Sequence, residues 1–264
     1  MASYSAKDVA ELRRMTGAGM LDSKNALEEM GGDMEEAAKL LRMKGLAGAA
    51  KRSDREASEG AVAVARSGDA AAVVELRCET DFVAKAEEFV ALAEELAALV
   101  AAKGEDAADE VAEEIDRLRA TLKENISVGQ VRRLVAEPGQ VLDTYLHRQA
   151  GRGVNAVAVV LEGGSEELAH EIAVHIAFTR PTYLSRDEVP EADAAAERAT
   201  LEEISRNEGK PEAALGKIVE GRMNGWYKER VLLDQAYVRD EKQTIAGMLG
   251  SARIVSFAQV YFGA

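Results

Sequence analysis

The stretch Ala71-Ala72-Val73-Val74-Glu75-Leu76-Arg77-Cys78-Glu79-Thr80-Asp81-Phe82-Val83 runs a β-rich segment into an acid and a large aromatic, where a strand hands over to a helix. Ser67-Gly68-Asp69 bounds the strand as a turn signal, and Phe89, Leu92, Leu96 and Leu99 recur beyond it at helical spacing. The Thr80-Asp81-Phe82-Val83 corner admits two readings. In one, Asp81 caps the helix, its carboxylate satisfying free N–H groups, and Phe82, seven residues before Phe89, begins the buried stripe. In the other, the corner projects the ring outward. Spacing alone favours burial.

Upstream, Ser5 and Asp8 form a capping box, after which Val9, Leu12 and Thr16 share a helical face. Thr16-Gly17-Ala18-Gly19 breaks that helix. A second carries Met20, Leu27 and Met30 on one side and ends at Gly31-Gly32; Asp33 with Glu36 caps a third bearing Met34, Ala37, Ala38 and Leu41. Three short helices in about 45 residues predict a compact bundle near the lower size limit for independent folding. Residues 46–58, small and charged, with the basic run Lys51-Arg52 and Arg55, read as the linker out of it.

Downstream, the pattern mixes strands and helices. A strand over 60–65 followed by a Gly turn is echoed by Asn155-Ala156-Val157-Ala158-Val159-Val160-Leu161, the turn Gly163-Gly164-Ser165 and a helix through Ile172 and Ile176, which points to two related halves. Residues 105–123 read as one charged helix with Val111, Ile115, Leu118 and Leu122 on a face. Strands over 131–135 and 141–146 flank the turn Glu137-Pro138-Gly139-Gln140. Helical patterns over 191–207 and 211–227, joined by Glu208-Gly209-Lys210, predict an antiparallel, protruding hairpin with Ala194, Leu201 and Ile204 on one inner face and Leu215, Ile218, Val219 and Trp226 on the other. Residues 231–238 read as extended or loop, Thr244 caps a short helix, and 252–261 form a last strand.

The net charge of -14 lies wholly beyond residue 58, since residues 1–58 hold ten basic and ten acidic side chains. A surface of that sign repels phosphate backbones, so a protein partner with a basic face is expected and direct nucleic-acid binding is not. A lone Cys78 permits no internal disulfide and reads as a small buried apolar residue in a reducing compartment. Met1-Ala2-Ser3-Tyr4-Ser5-Ala6-Lys7-Asp8 lacks an apolar signal core, and no segment approaches the ~20 apolar residues of a membrane span, so no membrane association and a cytoplasmic location are expected.

Motifs for chemistry are weak. His170 and His175 are five residues apart, which on a helix sets the rings about 140° apart and unable to share an ion. His175 reads as a satisfied core or interface residue and His170 as a surface one. Gly17-Ala18-Gly19 follows a helix and lacks the third fingerprint glycine, residues 45–53 lack a Gly-Lys-Ser/Thr ending, and no Gly-x-Ser-x-Gly elbow occurs. A non-enzyme without cofactor or metal is the expected class.

Two long segments bear a resemblance. Leu12-Arg13-Arg14-Met15-Thr16-Gly17-Ala18-Gly19-Met20-Leu21-Asp22-Ser23-Lys24-Asn25-Ala26-Leu27 and Glu75-Leu76-Arg77-Cys78-Glu79-Thr80-Asp81-Phe82-Val83-Ala84-Lys85 resemble, in order, the two signatures of the bacterial translation elongation factor Ts family. Glu220-Gly221-Arg222-Met223 and Val238-Arg239-Asp240 extend the likeness over essentially the whole chain. It implies an α+β fold: a ubiquitin-associated-type (UBA-like) three-helix module with its linker in residues 1–55, a core N-half in 56–147 carrying the corner, and a core C-half in 148–264 including the hairpin 191–227, with antiparallel sheets. It implies a guanine-nucleotide exchange factor for elongation factor Tu, met in its GDP-bound and nucleotide-free forms. Thr80, Asp81, Phe82 and Val83 match the intruding corner, placed beside the magnesium and phosphate side of the partner's pocket. Arg13, Met20, Leu21 and Lys24 match contacts to the partner's GTPase domain, although the spacing of Met20 also suits the bundle core; His147 and Val238 match further contacts. Arg77 departs from the family's common asparagine, Leu21 from methionine and Arg239 from an apolar residue, and residues 124–133 run about three residues longer than usual. The rival reading is a helical peptide-binding adaptor that docks through Met20 and Leu21.

Overall fold

The computed structural model describes residues 4–50, 52 and 54–262; Met1-Ala2-Ser3 of the expected leaderless start, Lys51 and Ser53 of the expected linker and the last two residues of the core C-half lie outside them. Ser5 donates its backbone N–H to Asp8 Oδ2 at 2.7 Å while its Oγ accepts from the Asp8 amide, and this box starts α1 (Ala6–Thr16), which ends at Gly17 with φ of 67°. α2 (Met20–Glu29) follows, and Asp33 Oδ1 accepts from the Glu35 and Glu36 amides to start α3 (Met34–Ala50). Val9, Leu12, Ala26, Leu27 and Ala37 are the bundle's core. α3 runs past residue 46, where the linker was expected to begin. Gly45 sits within it because a Cβ there would lie 2.7 Å from Ala120 Cβ, so the glycine is the seat of a helix contact and not a break.

Among the described residues, eight strands form two three-stranded antiparallel sheets and one two-stranded pair. β1 (Glu59–Ser67) and β2 (Ala70–Cys78) make a hairpin through Gly68, whose φ is 58°. After α4 (Asp81–Ala84), α5 (Glu87–Lys103), a 3-10 stretch Glu105–Val111 and α6 (Ala112–Leu122), β3 (Ser127–Val135) pairs with β2. The one helix expected over 105–123 therefore opens with a tighter stretch: Glu105, Asp106, Asp109 and Glu110 place like charges at α-helical neighbour spacings there. β4 (Gln140–Gln149), β5 (Arg152–Glu162) and, after α7 (Glu166–Thr179), α8 (Glu191–Asn207), α9 (Glu212–Arg230), the short pair β6 (Ala236–Tyr237) and β7 (Asp240–Thr244), and α10 (Ile245–Leu249), the strand β8 (Arg253–Tyr261) complete the second sheet in the order β4-β5-β8. β4 is hydrogen-bonded to β5, so the sheets divide at the turn over 136–139 and β4 joins the second sheet instead of the 56–147 half.

The layers run helix, sheet, sheet, helix, and the alternation of side chains along the central strands shows why. In β2, Ala72, Val74, Leu76 and Cys78 pack against α5 and α6, while Ala71 and Val73 point the other way. In β5, Val157, Val159 and Leu161 face α7, while Ala156, Ala158 and Val160 meet Ala71 and Val73. Each central strand is buried on both faces, which accounts for unbroken apolar runs where a one-sided strand would alternate. By position the counterpart of β5 is β2, each a central strand followed by a covering helix; the sequence echo had matched β5 to β1. Small side chains bring the sheets close: a Cβ on Gly153 would lie 2.1 Å from the Val62 carbonyl oxygen.

α8 and α9 form the expected hairpin, turned by Gly209 with φ of 73° and cross-linked by Arg198–Glu220 at 3.1 Å. Leu215, Val219 and Met223 are buried, and Ser205 fills the seat one turn on from Leu201, to whose carbonyl its Oγ donates at 2.6 Å. Ile204, expected inward, lies off that register and is 41% exposed.

Gly153→Ala should lower stability by about 1–3 kcal/mol, because the added methyl forces apart two backbones in contact. A urea titration checks it, and an unchanged midpoint would show that the seam tolerates a wider gap.

Candidate functional site

Thr80, not Asp81, is the N-cap of the four-residue α4: its Oγ1 accepts from the Val83 amide at 3.3 Å. Asp81 instead accepts a 2.5 Å hydrogen bond from Lys85 one turn on, and that ammonium holds its carboxyl below the usual carboxylate range. Val83 and Ala84 turn inward, whereas Phe82, about 100° from each neighbour around the helix axis, is 82% exposed. Phe82 does not open the stripe of Phe89. The chain leaves helical geometry at Lys85 and Ala86 and starts α5 afresh at Glu87, so a phase counted back from the fully buried Phe89 is lost across the break.

The corner is locked from behind. Glu124 accepts from the Glu79 and Thr80 amides at 3.0 and 3.1 Å and from the Thr80 hydroxyl at 2.5 Å. Cys78 is buried beneath, its Sγ 3.3 Å from the Thr80 carbonyl oxygen; burial, then the charge of Glu124, push its thiol up to about 12, so it stays protonated.

A groove of about 590 Å³ is lined by Tyr145, His147, Arg152, Phe178, Arg180 and Phe262 among others. His147 is exposed near the end of β4. Arg152 joins groove to corner, since it pairs with Glu59 at 2.8 Å and its charge also lowers the Asp81 carboxyl. Phe178, 73% exposed, escaped the sequence reading. The signal was present: it lies about 200° around the helix from Ile176, off the buried stripe of Ala169, Ile172, Ala173 and Ile176.

On the N-terminal module Arg13 and Lys24 are exposed, as are Met20 at 51% and Leu21 at 67%. Met20 is therefore outside the bundle core, in which α2 places Ser23, Ala26 and Leu27. Met15, on α1, is likewise exposed, at 58%. The module seats on α6: a Cβ on Gly17 would lie 2.7 Å from Thr121 Cγ2, and Lys123 reaches Asp22 at 3.0 Å. Val238 stands apart from the groove, half-buried against the core under α7, and donates its N–H to His175 Nδ1 at 3.3 Å. That contact makes His175 Nε2 the protonated nitrogen, donating to Gln235 Oε1 at 2.9 Å, and burial lowers the pKa of the ring. His170 is at the surface, 3.0 Å from Asp143. No helix among the described residues is long and apolar enough to cross a membrane.

An exposed aromatic on a braced corner, together with the exposed Met15, Met20 and Leu21, is an arrangement suited to contact with another protein. The family model described as Elongation factor TS matches residues 79–264. The chain is 46% identical to the elongation factor Ts of Clavibacter michiganensis subsp. michiganensis, 45% to that of Kineococcus radiotolerans and 44% to that of Beutenbergia cavernae, in each case over the whole of both chains. The chain belongs to the elongation factor Ts family, the exchange factors of translation elongation in protein biosynthesis.

His175 carries a pH dependence. The unfolded chain takes up a proton there near the ordinary 6.5, and the folded ring only at lower pH, so its contribution to stability is complete above 6.5 and is lost progressively as pH falls below it. Following the ring signals of His175 by NMR should show a midpoint under 6.5; titration at or above that value would mean the ring is not held neutral.

Proposed function

We propose that this protein releases GDP from elongation factor Tu by inserting the Asp81–Phe82 corner beside the magnesium and phosphate side of the partner's nucleotide pocket. It binds the GDP-loaded and nucleotide-free forms, works in the cytoplasm and performs no chemistry of its own. The observation that carries the reading is the 82% exposure of Phe82 beside the inward-turned Val83 and Ala84. A phenyl ring left in water forgoes roughly 1.5–3 kcal/mol of burial, a cost that a partner's pocket recovers.

A GTPase grips its nucleotide through phosphate contacts and a magnesium ion that neutralises phosphate charge. A factor that binds the empty state more tightly than the loaded one weakens the nucleotide by the same ratio. In this role the Phe82 ring displaces the elements that shape the phosphate site. The Asp81 carboxylate, kept ionised by Lys85, brings negative charge toward the ion's ligands. Thr80 and Val83 set the pair's direction.

The wedge is not sufficient. A thousandfold acceleration needs about 4 kcal/mol off the barrier, more than one buried Phe supplies after distortion is met. The remainder falls to the other surfaces. Residues 1–55 dock on the partner's GTPase domain through Arg13, Met20, Leu21 and Lys24; residues 56–147 carry the wedge and, at their end, His147; and residues 148–264 add Val238.

Phe82→Ala should slow release of a fluorescent GDP from elongation factor Tu about tenfold or more while complex formation persists through the other patches. Release at the wild-type rate would remove the wedge from the mechanism.

A further inference from the structure

We propose that Glu124 is a positioning residue for exchange: its carboxylate holds the corner in the shape that keeps Phe82 outward and ties that shape to the helix on which the N-terminal module sits. The inference rests on the reading in which Phe82 is the wedge.

The three groups Glu124 receives are the ones that define the corner. The Glu79 and Thr80 amides, both bound to Oε2, close the end of β2, and the Thr80 hydroxyl, bound to Oε1, belongs to the cap of α4. Because that hydroxyl gives its proton to Glu124, its lone pair is left facing the Val83 amide at 3.3 Å, so the cap's orientation is dictated by the carboxylate. The return contact runs the other way: the Asn125 amide donates to Glu79 Oε1 at 2.6 Å. Segments 79–80 and 124–125 are thereby locked reciprocally, with ionised acceptors that strengthen each bond. An exposed phenyl ring gains by folding onto nearby apolar surface, and a corner with free amides and a free hydroxyl could rotate to allow it.

Glu124 is delivered by α6. Lys123 closes that helix in the left-handed region at φ of 60°, which turns the chain back toward the corner, and Arg119 pins the same loop by donating to the Ile126 carbonyl at 2.6 Å. The N-terminal module rests on the last turns of α6 through Gly45 on Ala120, Gly17 on Thr121, and Asp22 paired with Lys123. One helix end therefore touches both the docking module and the wedge. Glu124 is half-buried, which reduces the ability of water to replace it.

The test uses the full chain and GDP-loaded elongation factor Tu with a fluorescent GDP, reading the maximal release rate and the half-saturating concentration for Glu124→Ala, Glu124→Gln, Phe82→Ala and the double variant Glu124→Ala/Phe82→Ala. Glu124→Ala should lower the maximal rate about tenfold and leave half-saturation within about threefold. Glu124→Gln should recover most of the rate, since its carbonyl oxygen can still accept both amides. The double variant should be no slower than Phe82→Ala, because Glu124 acts only through the ring. Wild-type rates in Glu124→Ala beside a slow Phe82→Ala would overturn the role of Glu124 and leave the wedge standing; a wild-type Phe82→Ala would overturn the wedge and with it this inference. Additive losses in the double variant would also overturn it. If thermal unfolding shows Glu124→Ala not to fold, Thr80→Val, which keeps both amide bonds to Glu124 but removes the hydroxyl's bond to it together with the cap on the Val83 amide, takes its place in the cycle under the same requirement.

Discussion

The seam between the two sheets governs the geometry of everything on the surface. Ala71 and Val73 of one sheet meet Ala156, Ala158 and Val160 of the other, and at Gly153 the backbones themselves touch. Small residues at such a seam leave little slack, since interiors pack at crystal-like density and cannot be deformed a little at a time. Arg152, beside Gly153, spans the seam by donating to the Gly60 carbonyl and pairing with Glu59. Its charge also favours the ionised Asp81 carboxyl, and it lines the groove of His147 and Phe178, so the spacing of these surface features is inherited from the contact between sheets.

Much of this architecture was legible because periodicity reports local environment. The bundle's caps, the hairpin of α8 and α9 and the strands near 155–161 and 252–261 follow from spacing and punctuation. What was not legible depends on partners distant in the chain. β4 was placed with the first half because nothing in 141–146 says whether it pairs with β3 or with β5. α3 was stopped at residue 46 because the small, charged stretch that follows read as a linker, and only the facing Ala120 shows that Gly45 is a helix contact. Double burial of β2 and β5 misled the echo in the same way.

At the corner the failure was one of phase. Thr80 and Asp81 are both good caps, and a shift of one residue decides which of them faces the amides and which pairs with Lys85. The same shift turns Phe82 about 100° around the helix. Counting back from Phe89 assumed an unbroken helix, yet nothing punctuates Lys85-Ala86: no glycine, no proline. Only the resemblance to the elongation factor Ts family pointed the ring outward. Glu124 carried no signal at all, for a glutamate after a charged helix reads as solvated until its three donors, more than forty residues away in sequence, are seen.

A rigid corner matters more to exchange than a large one. An aromatic on a mobile loop would surrender part of its burial energy to ordering itself on contact, and that energy would then be missing from the distortion of the partner. Here the ordering has been done during folding: Thr80 is capped and clamped, Val83 and Ala84 are buried, Asp81 is held by Lys85, and the ring is the one free element. Because the brace comes from α6, the stability of the core and the readiness of the wedge share the same residues. The N-terminal module, too small to be strongly stable alone, is seated against that brace, so the docking proposed for it would add no new flexibility between the first contact and the last. On the proposed mechanism, a weak wedge on a stiff mount, delivered by several separate patches, reconciles a ring worth only a few kcal/mol with the larger free energy that fast nucleotide release demands.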